Sequence, residues 1–185
     1  LDVNRPEDVV AAAALASDVT LIINNAGIAQ PGGFLAADSE EVARRIFETN
    51  FFAMLRVSKA FAPILKANGG GALLNVLSIA SWVNGGQLAA YSASKSAAWS
   101  LTNALRSELA AQKTQVLALH MAYVDTDLTR GLDVPKSSPE EIVRRALDGL
   151  ESGADEVLAD ELTLQVKLGM TATRPSYLPQ ATSAR

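Results

Sequence analysis

Apolar positions along the chain fall into short continuous runs that alternate with longer stretches of helical spacing. The runs at 19–23 (VTLII), 72–77 (ALLNVL) and 114–121 (TQVLALHM) are bounded by Asp, Asn or Gly and rich in branched side chains, which predicts buried strands. Residues 155–160 predict a last strand, and residues 1–3 read as the tail of an earlier one. Between these lie predicted helices over 4–16, 38–67, 91–111 and 139–152, with a short one over 161–169. Asn4 with Pro6 and Glu7, Asp38 with Glu41, and Ser138-Pro139-Glu140-Glu141 supply helix-start signals. Asn68 followed by three glycines, and Gly153, supply stops. Asn50 is polar in an apolar stretch (Phe47, Phe51, Phe52, Met54), which predicts a bend there. Strands alternating with helices indicate a doubly wound α/β fold, a Rossmann-like parallel sheet with ligands at the carboxyl ends of its strands.

From Met170 the chain is polar and punctuated by proline, so residues 1–169 are expected to form one domain and residues 170–185 a disordered tail. The chain has 185 residues, enough for one domain with a substantial core. Hydrophobic residues make up 49% of it, carried by alanine more than by aromatics. The net charge of −4, with no basic run, argues against a nucleic-acid partner. Cysteine is absent, which excludes a disulfide framework and a thiolate nucleophile, and a single histidine leaves no zinc or other metal centre to expect. No apolar run is long enough to cross a membrane, so a cytoplasmic protein is expected.

The chemistry concentrates in residues 78–95, SIASWVNGGQLAAYSASK. Tyr91 and Lys95 stand at i and i+4, so a helix beginning there projects both from one face. A phenol beside an ammonium has its phenolate favoured, which suits proton exchange with an alcohol or carbonyl oxygen. Ser78 lies thirteen residues before Tyr91, at the end of an apolar strand, where its hydroxyl faces the helix start.

Ser78, Tyr91 and Lys95 at these spacings resemble the catalytic set of the short-chain dehydrogenase/reductase family. Further marks agree with the resemblance: Asn24-Asn25-Ala26-Gly27 after a strand, Asn50, and Val124-Asp125-Thr126. The resemblance implies hydride transfer between NAD or NADP and a small-molecule carbonyl or secondary alcohol. It implies Tyr91 as general acid/base, Ser78 on the substrate oxygen, Lys95 lowering the tyrosine pKa and holding the nicotinamide ribose, and Asn50 keeping a relay water. It places Asn25, Ala26 and Gly27 against the cofactor, Val124 and Thr126 at the nicotinamide carboxamide, and Asp2 at the adenine. It also implies a homo-oligomer through helices 50–67 and 91–111. Met121-Ala122 stand where the family usually has Pro-Gly, a departure at the nicotinamide side.

Some positions keep two readings. Asn50 is a relay residue or a buried amide holding the bend. The small stripe Ala93, Ala97, Ala98 and Ala104 is core or subunit interface. Trp82, Val83, Leu88, Leu128 and Leu132 line an apolar pocket or simply pack, and the loop 127–138 is a candidate lid. His120 reads as a strand residue near the site rather than a base. The chain contains no G-x-G-x-x-G or related phosphate-binding turn. It is therefore expected to be an N-terminally truncated domain lacking roughly 60 residues, with strand 19–23 at an open edge. One rival reading is a non-catalytic binding or dimerisation protein on the same scaffold. Another is a lyase or epimerase.

Overall fold

A computed structural model describes residues 1–178 of the chain. Four strands, β1 Leu21–Asn24, β2 Gly71–Val76, β3 Thr114–His120 and β4 Glu156–Leu158, form one parallel sheet in the order β1-β2-β3-β4. The connecting helices are α1 Pro6–Leu15, α2 Ser39–Phe47, α3 Ala53–Ala67, α4 Ala89–Leu109, α5 Pro139–Glu151 and α6 Glu161–Gly169. Strand pleating sends neighbouring residues to opposite faces. Leu73 and Val116 pack with Leu65, Leu105 and Leu109 of α3 and α4. Leu74, Leu117 and Leu119 pack with Ile142 and Ala146 of α5. Helices cover both faces, which is the doubly wound arrangement the run pattern predicts.

The expected bend at Asn50 is a π-helical turn, Glu48–Phe52, joining α2 to α3. The return from α3 to β2 depends on two glycines with positive φ, Gly70 (+118°) and Gly71 (+147°). A Cβ on them would come within 2.4 Å of Lys113 O and 2.3 Å of Thr20 O. No side chain is compatible with that approach.

Several local expectations need correction. Residues 1–3 form a turn and not a strand end. Asp2 O accepts from Arg5 N at 3.0 Å, and Val3 O accepts from Arg56 Nη1 at 2.7 Å, so these carbonyls are satisfied without a sheet neighbour. Asn4 does not cap α1; the N-cap is Arg5, which has no capping side chain. Asp38 occupies the N-cap of α2 without making a side-chain cap. Ser138 does cap α5, accepting from Glu141 N at 3.2 Å, but Glu141 is turned toward Arg144 and Arg145 rather than back to the cap. A guanidinium offers the carboxylate a stronger, charge-assisted partner than a backbone amide. Beyond α6, residues 170–178 make turns that return to that helix, with Ser176 Oγ donating to Val166 O and Ser176 N donating to Gly169 O. The rest of the expected tail, 179–185, lies outside the described residues. Among the described residues no helix is long and apolar enough to cross a membrane.

Candidate active site

The carboxyl ends of β1, β2 and β3 point to one side, and α4 begins there. Past the end of β2, Ser78 is extended (φ −166°, ψ 163°) and caps a 3-10 turn over Ile79–Ser81 by accepting from Ala80 N at 3.1 Å. With that lone pair engaged, the Ser78 O–H remains to donate. It shares a cavity with the Tyr91 phenol, whose ionised form it favours. The helix α4 starts at Ala89, one half-turn before Tyr91, because Ala89 N and Gly32 O bond across to the loop at 3.1 Å.

Lys95 follows one turn later and is almost wholly buried, at 4% exposure. Its Nζ donates to Val76 O at 2.8 Å and lies 5.8 Å from the centroid of the Tyr91 ring. Burial lowers the Lys95 pKa to about 8. Burial also raises that of Tyr91, and the Ser78 hydrogen bond opposes the rise. The net direction for Tyr91 in the chain alone is therefore upward, the reverse of the lowering that an adjacent ammonium suggests. Desolvation by burial is the larger cause, with Ser78 opposing it.

Asn50 is fully buried in the π-turn, and its side chain is spent on structure. Its Oδ1 accepts from Ile28 N, while Nδ2 donates to Ile28 O and to Ser94 Oγ, each at 2.9 Å. The amide thus holds the segment after Asn24-Asn25-Ala26-Gly27 against α4. A Cβ at Gly27 would stand 3.4 Å from Asn50 Oδ1 and 3.6 Å from Lys95 Nζ. The bare glycine leaves the approach to the lysine open.

One cavity of about 300 Å³ is lined by Asn25, Gly27, Ser78, Tyr91, Lys95, Val124 and Thr126 together. Its remaining wall is apolar, from the sheet face, Leu128 and the α5 residues Ile142, Val143 and Leu147. Ala26 faces a separate groove beside the open edge of β1, along with Leu1 and Val3. Asp2 stands apart from both, exposed in the N-terminal turn, with Oδ1 accepting from Asn4 N at 2.9 Å. Trp82 turns inward and stacks on His120, and Leu132 is exposed, so neither lines the cavity.

Sequence reasoning missed a buried polar chain beneath the site. Asn24 Nδ2 donates to Asn75 Oδ1 (2.8 Å) and Ser58 Oγ (3.3 Å). Asn75 Nδ2 donates to Thr102 Oγ1 (3.0 Å), which donates to Ala98 O. The signal was an asparagine inside an apolar strand. Also missed was Asp160, which joins two elements: Oδ2 accepts from Ala122 N at 2.7 Å and Oδ1 from Thr163 N at 2.8 Å. It secures the turn at Met121-Ala122.

Residues 1–136 match the family model described as short chain dehydrogenase. The chain belongs to the short-chain dehydrogenase family. Among relatives, it is 35% identical over 123 residues to 1-deoxy-11-beta-hydroxypentalenate dehydrogenase of Streptomyces exfoliatus, covering 65% of this chain and 45% of that protein. It is 38% identical over 133 residues to galactitol 2-dehydrogenase (L-tagatose-forming) of Cereibacter sphaeroides, covering 69% of this chain and 52% of that one. The chain thus spans about half the length of these curated relatives. A crystal structure of a short chain dehydrogenase from Burkholderia cenocepacia J2315 in complex with NADP superposes with a TM-score of 0.89 at 40% identity, covering 94% of this chain and 73% of that one.

Proposed function

We propose that this chain carries the catalytic half of an oxidoreductase that moves a hydride between NAD or NADP and a small-molecule carbonyl or secondary alcohol. The observation that carries it is the convergence of Ser78, Tyr91 and Lys95 with Asn25, Gly27, Val124 and Thr126 on one cavity at the sheet's carboxyl end. The NADP-bound structure at 40% identity supports the cofactor class. The residues present fit the nicotinamide end of such a cofactor, because Gly27 leaves Lys95 approachable where a Cβ would stand 3.6 Å from its Nζ. Lys95 and Asn25 would hold that end, with Val124 and Thr126 across the cleft. When bound, the nicotinamide supplies the hydride donor or acceptor.

The protein's own part is proton management. Tyr91 gives its phenolic proton to a substrate oxygen during reduction and takes one during oxidation. Ser78, on the same cavity, gives its O–H to the substrate oxygen and orients it. Lys95, at a pKa of about 8, is poised to return a proton toward Tyr91 at neutral pH. Asn50 shapes this end of the cleft through the Ile28 backbone. The apolar wall from Leu128 and α5 suits a substrate with a hydrocarbon portion. A cytoplasmic location and a homo-oligomer built on α3 and α4 complete the reading. The small exposed residues Ser96, Ser100 and Ala104 along α4 support the latter.

The test is reduction of NAD⁺ or NADP⁺ by the purified protein against a panel of secondary alcohols, with Tyr91→Phe beside it. The variant is expected to lose at least about a hundredfold in turnover, with cofactor affinity retained by fluorescence titration. Substantial turnover without the phenol would remove Tyr91 from its role.

A further inference from the structure

Behind Ser78 lies a stack of side chains that the proton relay does not use. His120, the last residue of β3 and the single histidine of the sequence, is fully buried. Its Nδ1 lies 3.1 Å from Ser78 O. Trp82 covers the imidazole at 4.0 Å between ring centroids and 23° between planes, and itself meets Trp99 edge-on at 6.3 Å. Lys167 of α6 sets Nζ 4.6 Å from the Trp82 ring centroid and binds both carboxylate oxygens of Glu156 at 2.9 Å. Glu156 Oε1 is 3.4 Å from His120 Nε2, which has no hydrogen-bond partner.

The tautomer follows from the acceptor. A carbonyl oxygen only accepts, so the contact with Ser78 O requires the proton on Nδ1. Burial lowers the imidazole pKa to about 4, against the opposing pull of Ser78 O and Glu156, so the ring is neutral at pH 7 with a single N–H. Ser78 O also accepts from Ser81 N at 3.0 Å, and the two donors occupy both its lone pairs. The Ser81 bond belongs to the loop itself. The His120 bond reaches Ser78 from a different strand and ties the loop to the sheet.

We infer that His120 is a positioning residue: clamped by Trp82 and by the Lys167–Glu156 pair, its Nδ1–H fixes the Ser78 peptide and so aims the Ser78 hydroxyl at Tyr91. This rests on the proton relay proposed above. It makes the last strand and helix, β4 and α6, a support for the reacting end of the site.

Two measurements test it. In the ¹⁵N-histidine-labelled chain the single imidazole is expected to report a neutral Nδ1–H tautomer from pH 6 to 8. An Nε2–H tautomer or a charged ring overturns the inference, whatever the activity. Kinetically, His120→Asn places an amide nitrogen at the Nδ1 position, while His120→Phe keeps a ring under Trp82 with no donor. The Phe variant is expected to lose about tenfold in kcat, with the cofactor KM within about twofold and the pH limb assigned to Tyr91 moved upward. The groups facing the ring, Glu156, Lys167 and Lys95, are unchanged in it. The Asn variant is expected to stay within about threefold of the parent. Parental turnover in the Phe variant, or an equal fall in both, overturns the positioning role. Ser78→Ala separates the two ideas. A loss there beside a parental His120→Phe sinks the positioning role alone, and parental turnover in Ser78→Ala sinks the relay together with it.

Discussion

At the scale of residues, the site is a balance between burial and proximity. Lys95 carries an ammonium into the interior, where Nζ donates to Val76 O and lies 5.8 Å from the Tyr91 ring centroid, and burial lowers its pKa to about 8. The unfolded chain holds that proton until about pH 10.4. Below about pH 8 both states are charged and the folded state bears the full desolvation cost, which fades as pH rises from 8 toward 10.4. The shift corresponds to about 3 kcal/mol, offset by about 1 kcal/mol for the Val76 hydrogen bond. Lys95→Met is therefore expected to abolish turnover while raising Tm by about 4–8 °C at pH 7. Calorimetry across pH should show that advantage shrinking between pH 8 and 10. A Tm that falls at pH 7 would mean the ammonium is stabilising where it stands, against the desolvation argument.

At the scale of elements, what matters is how strands and helices are held in register at their functional ends. The Asn24–Asn75–Thr102 chain links β1, β2 and α4 at the level where Asn24↔Asn75 is a paired position of the parallel ladder. Asn75→Leu keeps the approximate volume but removes an acceptor for Asn24 Nδ2 and the donor to Thr102 inside a buried layer. The expected cost is about 2 kcal/mol, or a Tm lower by about 4–8 °C, read by thermal melting. An unchanged melting curve would show that these amides find other partners. The π-turn at Glu48–Phe52 plays the complementary part on α2 and α3, because it brings Asn50 to Ile28 and Ser94.

Across the whole molecule, β1 is an edge strand that pairs with β2, and a groove lined by Val3, Ile22, Val57 and Phe61 runs beside it. At the other side, β4 and α6 brace the site through Asp160 and Lys167. The proposed association through α3 and α4 belongs at this scale. Ser100 lies exposed on α4 in line with Ser96 and Ala104. If the chain associates there, Ser100→Arg is expected to give a monomer by light scattering, because a guanidinium at the centre of a contact between small side chains would hold two helices apart. A parent chain that already scatters as a monomer would exclude that interface.

The runs that became β1 to β4 and the helices, the parallel class of the sheet, the bend at Asn50 and the Ser78–Tyr91–Lys95 spacing were legible in the sequence, while the strand expected at residues 1–3 does not form. They depend on local periodicity or on short-range order, which a linear pattern records. The N-cap of α1 falls at Arg5 and not at Asn4, and Asp38 holds the N-cap position of α2 without a side-chain bond, because which way a side chain turns at a helix start is set by its surroundings and not by its place in the sequence. The state of Lys95 and Tyr91 was decided only by the tertiary structure, since desolvation depends on what the rest of the chain places around them. The same holds for the bond from His120 to Ser78 and for the brace from Asp160. Their partners lie about 40 residues away in sequence, and only packing of the strands brings them together.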